Sequence, residues 1–409
     1  MRMAARFLSA LAFAVLVAAV LAYLPDAYGQ WPKGGAPPGA VDHLTSINYG
    51  TPYKYNQGYP GKYATGDSWA FTWADNGTLY TLCNDCFGAN DSIANGRDTA
   101  WLSSSTSDTS TTLTNLNSMD AYSNRQAALG SDGLAIKGWG NISVHGTIYM
   151  MTTRFNYQNT TPPYRSVSSG GQIIKTTNHG ATTGGPAGWN PVPPATNEPF
   201  ASPMWPGTFG SLWFVQYDKQ DYVGQTWDGS DTYVYAVMPT TAWNNDSNLY
   251  LARVTIANLL ANCCSAASAA DWAWYQGGGD GTNPANWGAI GTRVAILSVS
   301  NQIGATGPQY LPFCTCYVMF QWNYPSIPGS FVTSTTNWYA YTAQHVWGPW
   351  TLIDTHTWTP GAYYDPAVNP KSLVSGGRSL MVTTAGDFQD PNGANNTNYT
   401  MTLIPVTLQ

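Results

Sequence analysis

One residue type carries nearly all the acidity of this chain: of 22 acidic side chains a single one is a glutamate, Glu198, and the rest are aspartates. Two of those, Asp67 and Asp85, stand near the ends of GDSWAFTWADNGTLYTLCND, which reads as one hairpin folded at Asn76-Gly77. The second strand of an antiparallel pair returns to the edge from which the first set out, so such a hairpin brings its two end carboxyls together. Crowded carboxylates in a concave site cannot all ionise, and the raised pKa that results is what a general acid needs at neutral pH. A pair of this kind suits glycoside hydrolysis, in which one group protonates the leaving oxygen while the other attacks or activates water. The expectation is Asp67 as nucleophile or base, with Asp85, then Asp365 and Glu198, as the acid. Asp75, beside the Asn-Gly dipeptide, reads instead as a turn residue.

The elements that must position these groups are strands. Short runs of β-branched and aromatic residues, bounded by Gly, Asn, Asp and Pro, recur along residues 30–409, and NISVHGTIYMM turns at His145-Gly146 as the first hairpin does at Asn76-Gly77. Further pairs are SLWFVQYD with TYVYAVM, QYLPFCTC with YVMFQWN, and DPAVNPKSLV with RSLMVTTAG; only VTIANLLANCCSAASAA, residues 254–270, holds a short helix. Copies spaced by about 76 residues predict a single five-bladed β-propeller over residues 30–409, with HLTSINYGTPYKY as the outer strand that closes the last blade. A two-sheet sandwich is the structural alternative.

In a propeller the start of the innermost strand and the end of the second meet on one face. Beyond Asp67 and Asp85 this places Lys137 with Arg154, Gln309 with Asn323, and Asp365 with Asp387, and Glu198 or Ser202 before the inner strand of blade three. Trp69, Trp139 and Tyr364 are the aromatic candidates for stacking on sugar rings. His179 reads as structural, and no other histidine has a partner set for a triad or a zinc site.

The N-terminus carries Arg2 and Arg6, an apolar run and a small-residue junction at Ala27-Tyr28-Gly29, which predicts a signal peptide over residues 1–29 and a secreted or extracytoplasmic protein. A retained membrane anchor is the other reading of that run; after cleavage no membrane association is expected. Six cysteines, at 83, 86, 263, 264, 314 and 316, predict disulfides in an exported chain, with connectivity open and no metal or other cofactor expected. Charged residues make up only 9% of the chain and the net charge is −6, which offers nothing to a phosphate backbone, so nucleic acid is not expected as a partner.

The string GDSWAFTWADNGTLYTLCND, followed by NLYLARV, HVWGPWTLID and YYDPAVNPKSL, resembles a family of secreted bacterial five-bladed propellers that includes endo-D-arabinanases. More distantly, Asp67 ahead of the first inner strand resembles the opening of glycoside hydrolase family 43. The resemblance implies a propeller acting on a polysaccharide or oligosaccharide, with arabinan-like furanosides first. Family 43 uses a glutamate as its acid, so Glu198 or a second aspartate must serve here. Two further classes stay open: a non-catalytic glycan-binding propeller, and a polysaccharide lyase using Tyr364 as base with Lys137 or Arg154 as the cation.

Overall fold

The computed structural model describes residues 44–55, 64–88, 98–104, 113–117, 129–156, 167–180, 188–194, 197–217, 233–325, 335–375, 378–386 and 399–409. Residues 1–29 and Asp387 lie outside this set.

The strands are grouped in five antiparallel sheets that follow the chain. The first segment supplies β1 (Ile47–Tyr49) and β2 (Tyr53–Lys54). Blade one holds β3 (Thr65–Asp67), β4 (Phe71–Trp73), β5 (Leu79–Gly88), β6 (Asp98–Ser104) and β7 (Leu113–Asn117). Blade two holds β8 (Ala135–Val144), β9 (Thr147–Phe155), β10 (Ser168–Thr176) and β11 (Trp205–Thr208). Blade three, the largest, holds β12 (Trp213–Phe214), β13 (Tyr233–Pro239), β14 (Asp246–Thr255), β15 (Ala273–Tyr275), β16 (Trp287–Gly288) and β17 (Ala295–Ile303), with the helix α1 (Ile256–Asn262) between β14 and β15. Blade four holds β18 (Gln309–Leu311), β19 (Cys316–Asn323), β20 (Thr336–Ala343) and β21 (Thr351–Trp358); blade five holds β22 (Tyr364–Val368), β23 (Ser379–Ala385) and β24 (Met401–Leu408). The chain is a five-bladed β-propeller, and the sandwich alternative is excluded.

The local sequence explains the local structure. Asn76-Gly77 turns β4 into β5 with Gly77 at φ 79°, and His145-Gly146 turns β8 into β9 with both residues at positive φ. Every residue of β8, β9 and β19 is buried, because each face of an inner strand packs against a neighbouring blade. The outermost strand β21 is largely exposed. Thr255 caps α1 by accepting from the Asn258 amide.

The ring closes through non-consecutive segments. The strand β24 pairs with β23 on one side and with β1 and β2 on the other, so the last blade is completed by the first strands of the chain. Side chains stitch neighbouring blades: Thr72 Oγ1 accepts from the Ser143 amide at 2.7 Å, Gln216 Nε2 donates to the Asn141 carbonyl at 2.6 Å, and Thr383 Oγ1 donates to the Trp69 carbonyl at 2.8 Å. The cysteines form three disulfides, Cys83–Cys86, Cys263–Cys264 and Cys314–Cys316. One expectation about placement fails: Glu198 and Ser202 do not enter blade three. They precede β11, the outer strand of blade two, and the inner strand of blade three begins only at Trp213.

Candidate active site

Asp67 ends β3 and Asp85 lies in β5, and in the fold both reach one ammonium. Lys137, on the inner strand of blade two, places Nζ 3.0 Å from Asp85 Oδ2 and 3.8 Å from Asp67 Oδ2. The Lys137 stem runs beside the Phe155 and Trp139 rings, with Nζ 5.1 and 5.9 Å from their centroids. Asp67 accepts three more hydrogen bonds: from the Tyr364 hydroxyl at 3.1 Å, from the Tyr399 hydroxyl at 3.0 Å, and from Ser68 Oγ at 3.3 Å. Ser68 Oγ also stands 3.1 Å from Asp365 Oδ2. Three carboxyls from blades one and five, one ammonium from blade two and two phenols thus form one buried network.

The environments of the carboxyls differ. Burial raises the Asp67 carboxyl to about 6, Lys137 opposes the rise, Asp85 adds to it, and the two phenols hold it down. Burial first, and then the Asp67 charge, lift Asp365 well above the carboxylate range against the pull of Lys137 and Ser68. Asp365 is 1% exposed and its Oδ1 has no hydrogen-bond partner, as suits a neutral acid. A hydroxyl has one hydrogen to give, so a protonated Asp365 that donates to Ser68 Oγ leaves the Ser68 hydrogen for Asp67. The backbone departs from the usual regions at this spot: Ser68, Asp85 and Asp365 have φ of 59°, 46° and 50°.

Several expected site residues stand elsewhere or act otherwise. Trp69 and Trp139 are 0% exposed, their indole N–H groups donating to the Gly66 carbonyl and to Thr153 Oγ1, so neither ring offers a face to a sugar. Tyr364 is equally buried and serves as a donor to Asp67. Its phenol is pushed well above 10, first by burial and then by the Asp67 charge, the wrong direction for a lyase base. Arg154 makes a bidentate pair with Asp132, bonds the Leu134 carbonyl at 2.9 Å, and stays apart from Asp67. Glu198 accepts from the Ser131 hydroxyl and amide, bonds that hold its carboxyl below the usual range, the wrong direction for an acid at neutral pH. Gln309 and Asn323 spend their amides on the carbonyls of Tyr217, Tyr310 and Asn301. Asp75 and His179 bond each other at 2.7 Å, with His179 stacked on Tyr80, a clip between blades one and two.

Sequence reasoning missed Ser68 and Tyr399. Ser68 sits beside Asp67 and was legible as a neighbour. The Tyr399 contact spans 332 residues and depends on the closing of the ring, where the Tyr399 carbonyl also accepts from the Gly66 amide at 3.2 Å. Among the described residues no cluster of His, Cys, Asp and Glu forms a metal site, and no helix is long and apolar enough to cross a membrane.

No protein-family model matches the sequence, and no curated protein matches it. Solved structures do match at the level of the fold. A Bacteroides ovatus protein assigned provisionally as a hydrolase aligns with 84% of this chain and 86% of its own, at 14% identity and a TM-score of 0.46. An endo-arabinase of Bacteroides thetaiotaomicron aligns over 84% and 94%, at 13% identity and a TM-score of 0.40. A xylan β-1,4-xylosidase of Bacillus halodurans aligns over 81% of this chain and 51% of its own, at 11% identity and a TM-score of 0.42. Likeness at this level bears on neither substrate nor reaction.

Proposed function

We propose that the protein is a glycan-active hydrolase whose working pair is Asp67 and Asp85. The observation that carries this reading is the single ammonium of Lys137 shared unequally between two carboxyls. Asp67, raised to about 6, is the group suited to donate a proton, which leaves Asp85, the carboxyl nearer to Lys137, for attack or for activating water. The roles are therefore the reverse of those expected from the hairpin alone. Asp365 has too little exposure to touch a substrate, and it shares the Ser68 hydroxyl with Asp67. Furanoside polymers of the arabinan kind are the first substrates to test, on the sequence resemblance alone, and action outside the cytoplasm follows from the N-terminal segment.

The test is incubation of the purified protein with arabinan, arabinogalactan and xylan, with Asp67→Asn and Asp85→Asn as controls. Release of reducing ends by the parent and not by the variants supports the reading. Retention of a polymer without products, equal in all three proteins, supports the second reading, a glycan-binding propeller. The observation favouring that second reading is how little of the carboxyl cluster is exposed, with Asp67 at 5% and Asp85 at 8%.

A further inference from the structure

The strand that carries Asp85 is not regular where it carries it. Between β3 and β5 the register runs from Thr65 opposite Gly88 to Asp67 opposite Asn84, so β5 spends two more residues than its partner across this interval. On its other side β5 runs from Cys83 opposite Ala100 to Cys86 opposite Asp98, one residue more than β6. Asp85 occupies this bulge at φ 46°, a conformation that costs a non-glycine residue free energy and lasts only where the surroundings impose it. What spans the bulge is the disulfide between Cys83 and Cys86, which brackets Asn84 and Asp85.

The bracket is fixed on the remaining sides. Both cysteines are 0% exposed. Asn84 Nδ2 donates to the Gly138 carbonyl at 2.6 Å and its Oδ1 accepts from the Gly138 amide at 3.3 Å, one residue from Lys137. Gly66, at φ 138°, packs so closely on the bulge that a Cβ there would come within 2.3 Å of Cys86 Cβ. Bulges beside active sites re-aim side chains, and here a cross-link spans the bulge that carries Asp85.

We infer that Cys83, Cys86 and Gly66 are positioning residues for the proposed reaction: the Cys83–Cys86 disulfide, seated on Gly66, holds Asp85 against Lys137 and at working distance from Asp67. The inference rests on the hydrolase reading for its effect on rate, and on geometry alone for its effect on the carboxyl pair. Being buried, the cross-link acts as a permanent frame.

The experiment compares the parent with Cys83→Ser/Cys86→Ser, with Gly66→Ala, and with Cys314→Ser/Cys316→Ser, which removes a disulfide in the turn joining β18 to β19. For the first two, kcat on the best polymer is expected to fall by about 10²-fold, the loss a misplacement of roughly 1 Å produces, with KM within about threefold of the parent's. The blade-four variant is expected to keep its kcat. Carboxyl-carbon NMR reads the pair without any substrate: the Asp67 midpoint should move by at least about half a unit in the first two variants, because Asp85 and Lys137 both act on it. An unchanged kcat with an unchanged Asp67 midpoint in a folded Cys83→Ser/Cys86→Ser protein overturns the inference. If the parent releases no product from any polymer, the hydrolase reading fails, and the midpoint still decides whether the cross-link positions the pair. If the double variant does not fold, Gly66→Ala, which keeps the disulfide, decides it by the same two readouts.

Discussion

Asp67 is where activity and stability pull in opposite directions. Its native carboxyl keeps a proton up to about pH 6, whereas in the unfolded chain it ionises near its ordinary value of 3.8. Between those values the native state binds more protons than the unfolded one, so the stability contributed by this group is complete below about pH 4 and is lost as pH rises through 6. Asp67→Asn removes the burial of a charge and leaves Lys137 its nearer partner, Asp85. The variant is expected to gain on the order of 3 kcal/mol at pH 8, on the scale of about 1.4 kcal/mol per pKa unit, and little at pH 4. Urea denaturation of both proteins at the two pH values measures this; an equal difference at both would show that Asp67 is not raised. The same substitution should lower kcat by about 10²–10⁴-fold if Asp67 is the acid. In the parent, kcat/KM is then expected to decline above pH about 6, as Asp67 gives up the proton it must donate. A profile that instead rises through 6 would reassign Asp67 as the base.

At the level of elements the decisive piece is β1. Its Tyr49 ring packs against the Phe320, Trp338, His356 and Trp358 rings of blade four, with centroids 4.7 to 6.5 Å apart, while its backbone pairs with β24 of blade five. One three-residue strand therefore joins two blades. Tyr49→Ala should cost about 3 kcal/mol, as expected for a large aromatic removed from a packed seam. Its midpoint in urea should fall with no change in m; a loss below about 0.5 kcal/mol would mean that the seam is held by other contacts. A chain beginning at residue 56 would leave the edge of β24 open, and should form larger species in size-exclusion chromatography.

For the whole molecule, all three disulfides join cysteines at most three residues apart, so none of them ties distant blades together. Ring closure rests on strand pairing and apolar packing instead. Alkylation of the denatured but unreduced protein should therefore label no cysteine, and six after reduction, by intact mass. A closed ring whose larger hydrophobic cluster draws on all five blades, with a second cluster between blades one and two, should also unfold in a single transition, with calorimetric and van't Hoff enthalpies equal; separate melting of blade three, the largest, would contradict it.

What the residues alone determined was local. Alternating apolar residues around Asn76-Gly77 and His145-Gly146 specify hairpins because the strand period and the positive-φ turn are properties of a few neighbouring residues. Repetition of that unit brought out the propeller, and the strand-forming segment at residues 43–55, which precedes the first hairpin unit, brought out its closure. Asp67, Asp85, Lys137 and Asp365 were legible as a group, since strand direction decides which ends share a face. Other features were decided only by the tertiary structure. Trp69 and Trp139 have the composition of a sugar platform, yet packing between blades covers them fully, and burial is a property of neighbours brought from elsewhere in the chain. Glu198, the one glutamate, falls to the outer strand of blade two because the inner strand of blade three starts later than an even repeat allows. Tyr399 and the division of Lys137 between two carboxyls depend on contacts that exist only once the ring has closed. The assignment of acid and base goes with them, because a pKa is set by burial and nearby charge, and neither can be read along a strand.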